Sequence, residues 1–407
     1  MKFQLLIALI MVLVASGMAN AMFEPVIYQS VPIQRMLDNL EKLSQQPGIS
    51  DSDKSMREFQ IGRLHAMAYA LKTEQGRNKM CVVVDERKQN RELIYRPESP
   101  KLAKPELEPN FERLPDYYQF KVTPTTDTAL IDASKKHLEQ AIQHLNVAHL
   151  LAPDSQVINL GLAWCIDQSG NKTEALKLYR KIMKDSWTVE NASAEGPAFT
   201  AKSLYQEAAL YALADLDPAT DEQEIKVIEG RVAELSKKPR SITPIVVPLR
   251  ADLMPRDLMQ KADVSFDLDG QGKRRWSQWP SSRAGWLVYV GDGSKPINSG
   301  LQLFGQSSFW IFWKDGYDAM ASLDDNADGK LTGRELQGLA LWCDKNSNGI
   351  CEPGEVRSLP EFAIVGLSCK KTVGIDGTIF SARGVDFADG TTGNTFDWIV
   401  PECKVWN

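Results

Sequence analysis

The stretch from Asp324 to Glu355 constrains this chain more than any other part of it. It reads DDNADGKLTGRE, a short apolar link, then DKNSNGICEPGE. Each end is a twelve-residue segment with oxygen-bearing groups at positions one, three, five, seven, nine and twelve and glycine at position six. In the first segment these are Asp324, Asn326, Asp328, the carbonyl of Lys330, Thr332 and Glu335, with Gly329 at the turn and Leu331 eighth. In the second they are Asp344, Asn346, Asn348, the carbonyl of Ile350, Glu352 and Glu355, with Gly349 at the turn and Cys351 eighth. Alternate residues of a tight loop point inward, and glycine relieves the strain where the chain reverses. Oxygens converging from one short wrap, closed by a carboxylate that can give two, suit a hard divalent cation. Plain turns also use Asp, Asn and Gly. Two complete sets in tandem ask for more than turn chemistry.

The pattern resembles the EF-hand loop, and that resemblance implies Ca2+ at both segments. Asp324 and Asp344 lie only twenty residues apart. One short helix, about Glu335 to Trp342, is therefore expected to leave the first loop and lead into the second. Leu336, Leu339, Ala340 and Cys343 would form its buried stripe at i, i+3, i+4, i+7. A sensor pair carries two helices between its loops, so the spacing implies a structural clamp rather than a switch. The order FDLDG, GWLVY, SGLQLFG, the double loop and FDWIV, over about 262–407, is similar to the EF-hand module of large exported bacterial proteins, including calcium-dependent repeat-in-toxin types. That likeness implies calcium binding in a secreted or surface protein. FDLDGQG reads either as a third calcium turn, with Asp267 and Asp269 as candidate ligands, or as a plain hairpin turn. Val290 to Gln302 reads as a worn loop, with Asp292 and Asn298 kept and Gln302 in the closing place, and no metal is expected there.

At 407 residues the chain should hold two or three domains. A net charge of −6 offers no electrostatic footprint for nucleic acid. Residues 1–21 read as a signal peptide, with cleavage at Ala19-Asn20-Ala21 before Met22. Its apolar run is shorter than the ~20 residues a membrane span needs, and no later stretch could cross a bilayer. The expected location is secreted, periplasmic or at the cell surface. Six cysteines suit an oxidising compartment. Cys343–Cys351 and Cys369–Cys403 are the expected pairings, with buried free thiols as the alternative.

Residues 22–240 read as helical, with a Pro-rich insertion at about 80–125. Ala141, Leu145, Ala148 and Pro153 are answered thirty-four residues later by Ala175, Tyr179, Ile182 and Trp187, with Leu160, Gly161 and Trp164 between them. This resembles the tetratricopeptide repeat (TPR), from which Trp187 departs by standing where a proline closes the unit. Ile61-Gly62 with His65 would open a further unit. The resemblance implies a groove for a protein or peptide partner. The expected fold class is thus multidomain: an α-helical TPR-like solenoid, a linker at 241–261, and a small α+β EF-hand-containing domain at 262–407.

Eight of the ten tryptophans lie beyond residue 270. Hydrophobic core is the expectation, and a carbohydrate-stacking face of Trp276, Trp279, Trp310 and Trp313 is the alternative. His65, His137, His144 and His149 form no metal clip, because His137 and His144 stand at i, i+7 rather than i, i+4. No nucleophile, Walker or dinucleotide motif occurs. The reading is an exported, non-catalytic calcium-binding protein with a helical region for protein interaction. Its rivals are a secreted hydrolase with an accessory calcium domain and a calcium-dependent adhesion or matrix protein. Oligomeric state is left open.

Overall fold

The computed structural model describes residues 30–72, 75–77, 128–192, 203–235, 238, 241–268, 273–291, 296–306, 308–310, 313–375 and 377–403. The segment 1–21 expected to be a signal peptide, the Pro-rich stretch at about 80–125 and Cys81 lie outside them. A strand β1 (Ser30–Pro32) opens the described chain, followed by helices α1 (Ile33–Ser44) and α2 (Asp51–Leu71). β2 (Gln75–Arg77) then returns antiparallel to β1. Next come α3 (Thr128–Leu151), α4 (Gln156–Gln168), α5 (Lys172–Ala192), α6 (Leu204–Asp215) and α7 (Glu222–Leu235).

Local chemistry starts these helices where they start. The Ser50 hydroxyl accepts from Asp53 N at 3.1 Å, and Asp51 and Asp53 lie in the first turn of α2, where the helix dipole favours negative charge. Ser203 caps α6 in the same way. Only three residues link α4 to α5, so the second helix must fold back along the first. The stripe Ala141, Leu145, Ala148 and its answer Ala175, Tyr179, Ile182 are fully buried, as a thirty-four-residue period requires. A Cβ on Gly62 would sit 2.6 Å from Leu145 Cγ, so α2 and α3 approach most closely there. Trp187 does not end its helix. Its ring packs on Tyr205, with the Arg231 guanidinium 4.7 Å from its centre.

The second half is built on strands: β3 (Ser241–Ile242), β4 (Ile245–Pro248), β5 (Met259–Phe266), β6 (Arg274–Pro280) and β7 (Ala284–Tyr289). A short helix α8 (Gly316–Ala321) precedes β8 (Lys330–Thr332), β9 (Leu339–Trp342), β10 (Val356–Ser358), β11 (Ile364–Ser368) and β12 (Thr372–Val373). β13 (Ile379–Phe387), β14 (Thr392–Asp397) and β15 (Val400–Pro401) finish it. The main sheet is antiparallel, in the order β10-β9-β7-β4-β14-β13-β11-β8, with β12 on β13. β8 and β9 lie six strands apart in that order yet are joined by residues 333–338. A flat sheet would separate them by ~29 Å. A fully extended link would barely reach ~25 Å, and this one contains a tight turn at Gly333–Leu336. The sheet must therefore curl, bringing its edges together.

Three sequence expectations change here. The link between the loops is not a helix from Glu335 to Trp342 but a 3-10 turn followed by β9. Leu339 and Leu341 face one core, whereas Ala340 and Trp342 face another. A strand covered on both faces shows no polar alternation, so its run of apolar residues mimics a helical stripe. The stretch 241–261 is no linker, since β4 lies inside the main sheet between β7 and β14. The helical region is also not separate. Ile33, Met36, Leu37, Leu40, Ile61, Leu64 and Met67 share one core with Ile245, Tyr317, Met320, Leu323 and Leu331.

Ion pairs sit on that seam. Asp318 takes Arg57 at 3.2 Å and Lys371 at 2.9 Å, and Lys371 also meets Asp315. The opposite face of the sheet is covered by the β5–β6 hairpin through Val264, Phe266, Trp276 and Trp279. Trp276, Trp279 and Trp313 are at most 1 % exposed, so they are core and not a carbohydrate face. The Trp310 side chain lies outside the described residues. Cys165, Cys343, Cys351, Cys369 and Cys403 are free thiols. Cys343 and Cys351 pack on opposite faces of the sheet, while Cys369 lies on the first core and Cys403 beside Asp263. Neither expected pair is bonded.

Candidate metal centre

The two twelve-residue segments fold as near copies of one another, here called loop 1 (324–335) and loop 2 (344–355). The sixth-position amide donates to the first-position carboxylate at 2.8 Å in both, Gly329 N to Asp324 Oδ2 and Gly349 N to Asp344 Oδ2. The fifth-position amide donates to the third-position side chain, Asp328 N to Asn326 at 2.9 Å and Asn348 N to Asn346 at 3.2 Å. The seventh donates to the fifth, Lys330 N to Asp328 at 2.8 Å and Ile350 N to Asn348 at 2.7 Å. The twelfth-position glutamate reaches back across each loop. Glu335 accepts from Asp325 N and Thr332 N, both at 2.9 Å, and Glu355 from Lys345 N at 3.1 Å and Glu352 N at 3.0 Å. Backbone φ is positive at positions four and six of each: Ala327 and Gly329, Ser347 and Gly349. Each Asx turn thus ties an acceptor oxygen of its side chain to a loop amide.

The end positions are buried and the middle ones open. Asp324, Glu335, Asp344 and Glu355 are 1, 5, 2 and 4 % exposed, whereas Asn326, Asp328, Asn346 and Glu352 reach solvent. Burying an ionised carboxylate costs several kcal/mol unless something positive compensates it. Among the described residues none of the four meets a lysine or arginine. Loop 2 gains two indoles instead: Trp279 Nε1 donates to Asp344 Oδ2 at 2.8 Å and Trp342 Nε1 to Glu355 Oε2 at 3.4 Å. In loop 1, Asp324 Oδ1 is buried with no hydrogen-bond partner among the described residues. Burial, with Glu335 and Asp328 nearby, raises the Asp324 carboxyl, and burial and Glu355 do the same to Asp344. The Cys369 thiol is pushed up by burial and then by Asp324, Glu335 and Asp328. Negative potential is therefore concentrated inside loop 1. An oxygen-only donor set of this charge, with one oxygen left unpaired, fits a hard divalent cation.

The twelve residues singled out by spacing lie in loops 1 and 2, the first and twelfth of each buried and the rest partly or fully exposed. They do not stand as a ready cluster of acids, for among the described residues no three His, Cys, Asp or Glu side chains form a metal-holding group by themselves. The loops rely on amide, hydroxyl and carbonyl oxygens as well. Asp267 is buried, and its carbonyl accepts from Gly300 N at 2.6 Å. Asp269 and Asp292 lie outside the described residues. Gln302 fills the closing place of the worn loop by accepting from Asn298 N at 3.0 Å.

Spacing alone missed the two indoles, although Trp342 lies just two positions before Asp344. It also missed the partners of Asp325, which come from α1 and leave no local signal. Two further buried acids hold backbone at the start of α8. Asp315 caps α8 by accepting from Tyr317 N and Asp318 N at 3.1 Å, and Asp397 accepts from Gly316 N at 2.9 Å. His65, His137 and His144 gather between α2 and α3, with His65 Nδ1 2.7 Å from His137 Nδ1 and His144 bonded to Glu58.

Fold and site together define a two-part protein: an N-terminal helical region joined to a curled antiparallel sheet domain that carries two acid-rich loops. Residues 255–400 match the SPM domain family. Over 149 residues the chain is 32 % identical to the iron-regulated protein FrpA of Neisseria meningitidis serogroup C, a match covering 34 % of this chain and 13 % of that protein. The likeness thus spans about a third of this chain and a small part of a much longer relative. Among the described residues no helix is long and apolar enough to cross a membrane.

Proposed function

We infer that this is an exported, non-catalytic calcium-binding protein, in which two EF-hand loops lock the sheet domain and a TPR-like helical region presents a surface to a protein or peptide partner. The observation that carries the calcium reading is the buried pair Asp324 and Glu335, with Asp324 Oδ1 unpartnered among the described residues while Glu335, Asn326 and Asp328 accept loop amides. A cation supplies the missing compensation, and empty loops leave like charges facing one another. Export rests on the leader-like stretch at residues 1–21. The partner reading rests on the thirty-four-residue period and on Val147, Leu150 and Val189, apolar side chains turned to solvent on α3 and α5.

Extracellular sites of this kind bind at roughly 10⁻⁴ to 10⁻³ M. At a hundredfold excess over Kd, each site adds about 2.7 kcal/mol of stability. Calorimetric titration of the mature chain should show calcium binding, and chelator should lower its melting temperature by about 5–10 °C. Double replacement of Glu335 and Glu355 by Gln should abolish both effects. A wild-type chain with no heat of binding and a melting point indifferent to chelator overturns the reading.

A further inference from the structure

The two loops differ in what holds them from outside. Loop 2 sits on the β5–β6 hairpin, with Gln260 Nε2 on Ser347 Oγ at 2.7 Å and Trp279 on Asp344. Loop 1 is gripped by α1. Arg35 Nε donates to Asp325 Oδ1 at 2.7 Å, and its Nη2 donates to the Leu323 carbonyl at 3.0 Å. Asn39, 2 % exposed, divides its amide protons between the Ser322 carbonyl at 3.0 Å and Asp325 Oδ1 at 2.9 Å. Lys42 Nζ donates to the Asp325 carbonyl at 2.9 Å.

Asp325 is the second residue of loop 1 and supplies no oxygen to the ligand pattern. α1 holds its carboxylate and pins three carbonyls, two just before the loop and that of Asp325 itself. The amide of Asp325 is thereby aimed inward at Glu335 Oε1, the closing ligand, 2.9 Å away. Arg35 and Lys42 would repel a bound cation if they were bare. The Asp325 carboxylate stands between, and although burial alone would raise it, Arg35, Asn39 and Lys42 hold it below its ordinary value.

We propose that loop 1 is a composite divalent-cation site completed by α1, with Arg35, Asn39 and Lys42 as its positioning residues, so that calcium at loop 1, but not at loop 2, is coupled to the seating of the helical region on the sheet domain. This rests on the calcium reading and extends it. Coupling is reciprocal: whatever affinity α1 lends to loop 1 returns as stability of the seat of α1.

The test is hydrogen exchange on the full mature chain, with and without calcium, beside calorimetry. Calcium should slow exchange across 33–44 about tenfold while leaving 204–235 unchanged. The protection should vanish in Glu335→Gln and persist in Glu355→Gln. Asn39→Ala should weaken one calorimetric site about tenfold and leave the other within about twofold. If Glu335→Gln does not fold, Asp325→Asn replaces it. This variant keeps all six ligands, and weakening of one site alone supports the coupling. Calcium heats without protection of α1, or protection lost equally in both glutamate variants, overturn the coupling and leave the calcium reading standing. No heat of binding in the wild-type chain removes both.

Discussion

Packing α2 against α3 leaves His65 only 8 % exposed beside two other imidazoles. The His65–His137 contact joins two Nδ1 atoms, so one ring must donate and the other must accept. Burial, with His137 and His144 beside it, pulls His65 down from 6.5 to about 3. The unfolded chain therefore takes up this proton before the folded one does. The stability it contributes is whole above about 6.5 and is lost as pH falls from there toward 3, by at most about 1.4 kcal/mol per pH unit. Urea titrations of wild type and His65→Gln at pH 7 and pH 5 should show the gap between them narrowing at the lower pH. A constant gap would mean that His65 is protonated alike in both states. The loop carboxylates carry the opposite sign: burial raises Asp324 and Asp344, which favours their neutral forms until a cation arrives.

Elements decide which of these residues could be foreseen. The loops were legible because a short wrap closed by Asx turns and a glycine fixes residue types at set positions, whatever surrounds it. The apolar stripe of the helices was legible because residues such as Ala141 and Ala175 stand at helical spacing on buried faces. β9 was not, because strands covered on both faces lose the alternation that marks them. The clamp on Asp325 was not, because α1 and loop 1 meet only after the chain has folded. Loop 2 depends on its neighbour through a glycine. Gly349 has φ +71°, and a Cβ there would lie 2.6 Å from Val264 Cγ1 and 2.7 Å from the Ser265 carbonyl. Gly349→Ala should therefore push loop 2 off β5 and cost about 1–3 kcal/mol at that seat. In calorimetry one calcium site should be lost and the other retained. Retention of both sites at wild-type affinity would show that β5 yields freely.

At the scale of the whole molecule, the matched segment 255–400 is not a self-sufficient body in this chain. It omits β4, which lies between β7 and β14, and it omits α1 and α2, which supply part of the core around Tyr317, Met320 and Leu323. A fragment of residues 241–407 should show an uncovered apolar face, bind a hydrophobic dye and aggregate. Adding a peptide spanning 30–72 should reduce both. A fragment that is monomeric, cooperative in melting and indifferent to the peptide would contradict the shared core.

The same shared core sets the order in which the molecule can be assembled. Arg35 and its acceptor on Leu323 are separated by 288 positions. When α1 leaves the ribosome, the surface that will cover Ile33, Met36 and Leu40 has not yet been synthesised. The nascent chain must carry that greasy stripe through most of its elongation, which makes it a natural client for a holding chaperone. Final assembly then waits on the closure of a very long loop, one of the slowest kinds of folding step.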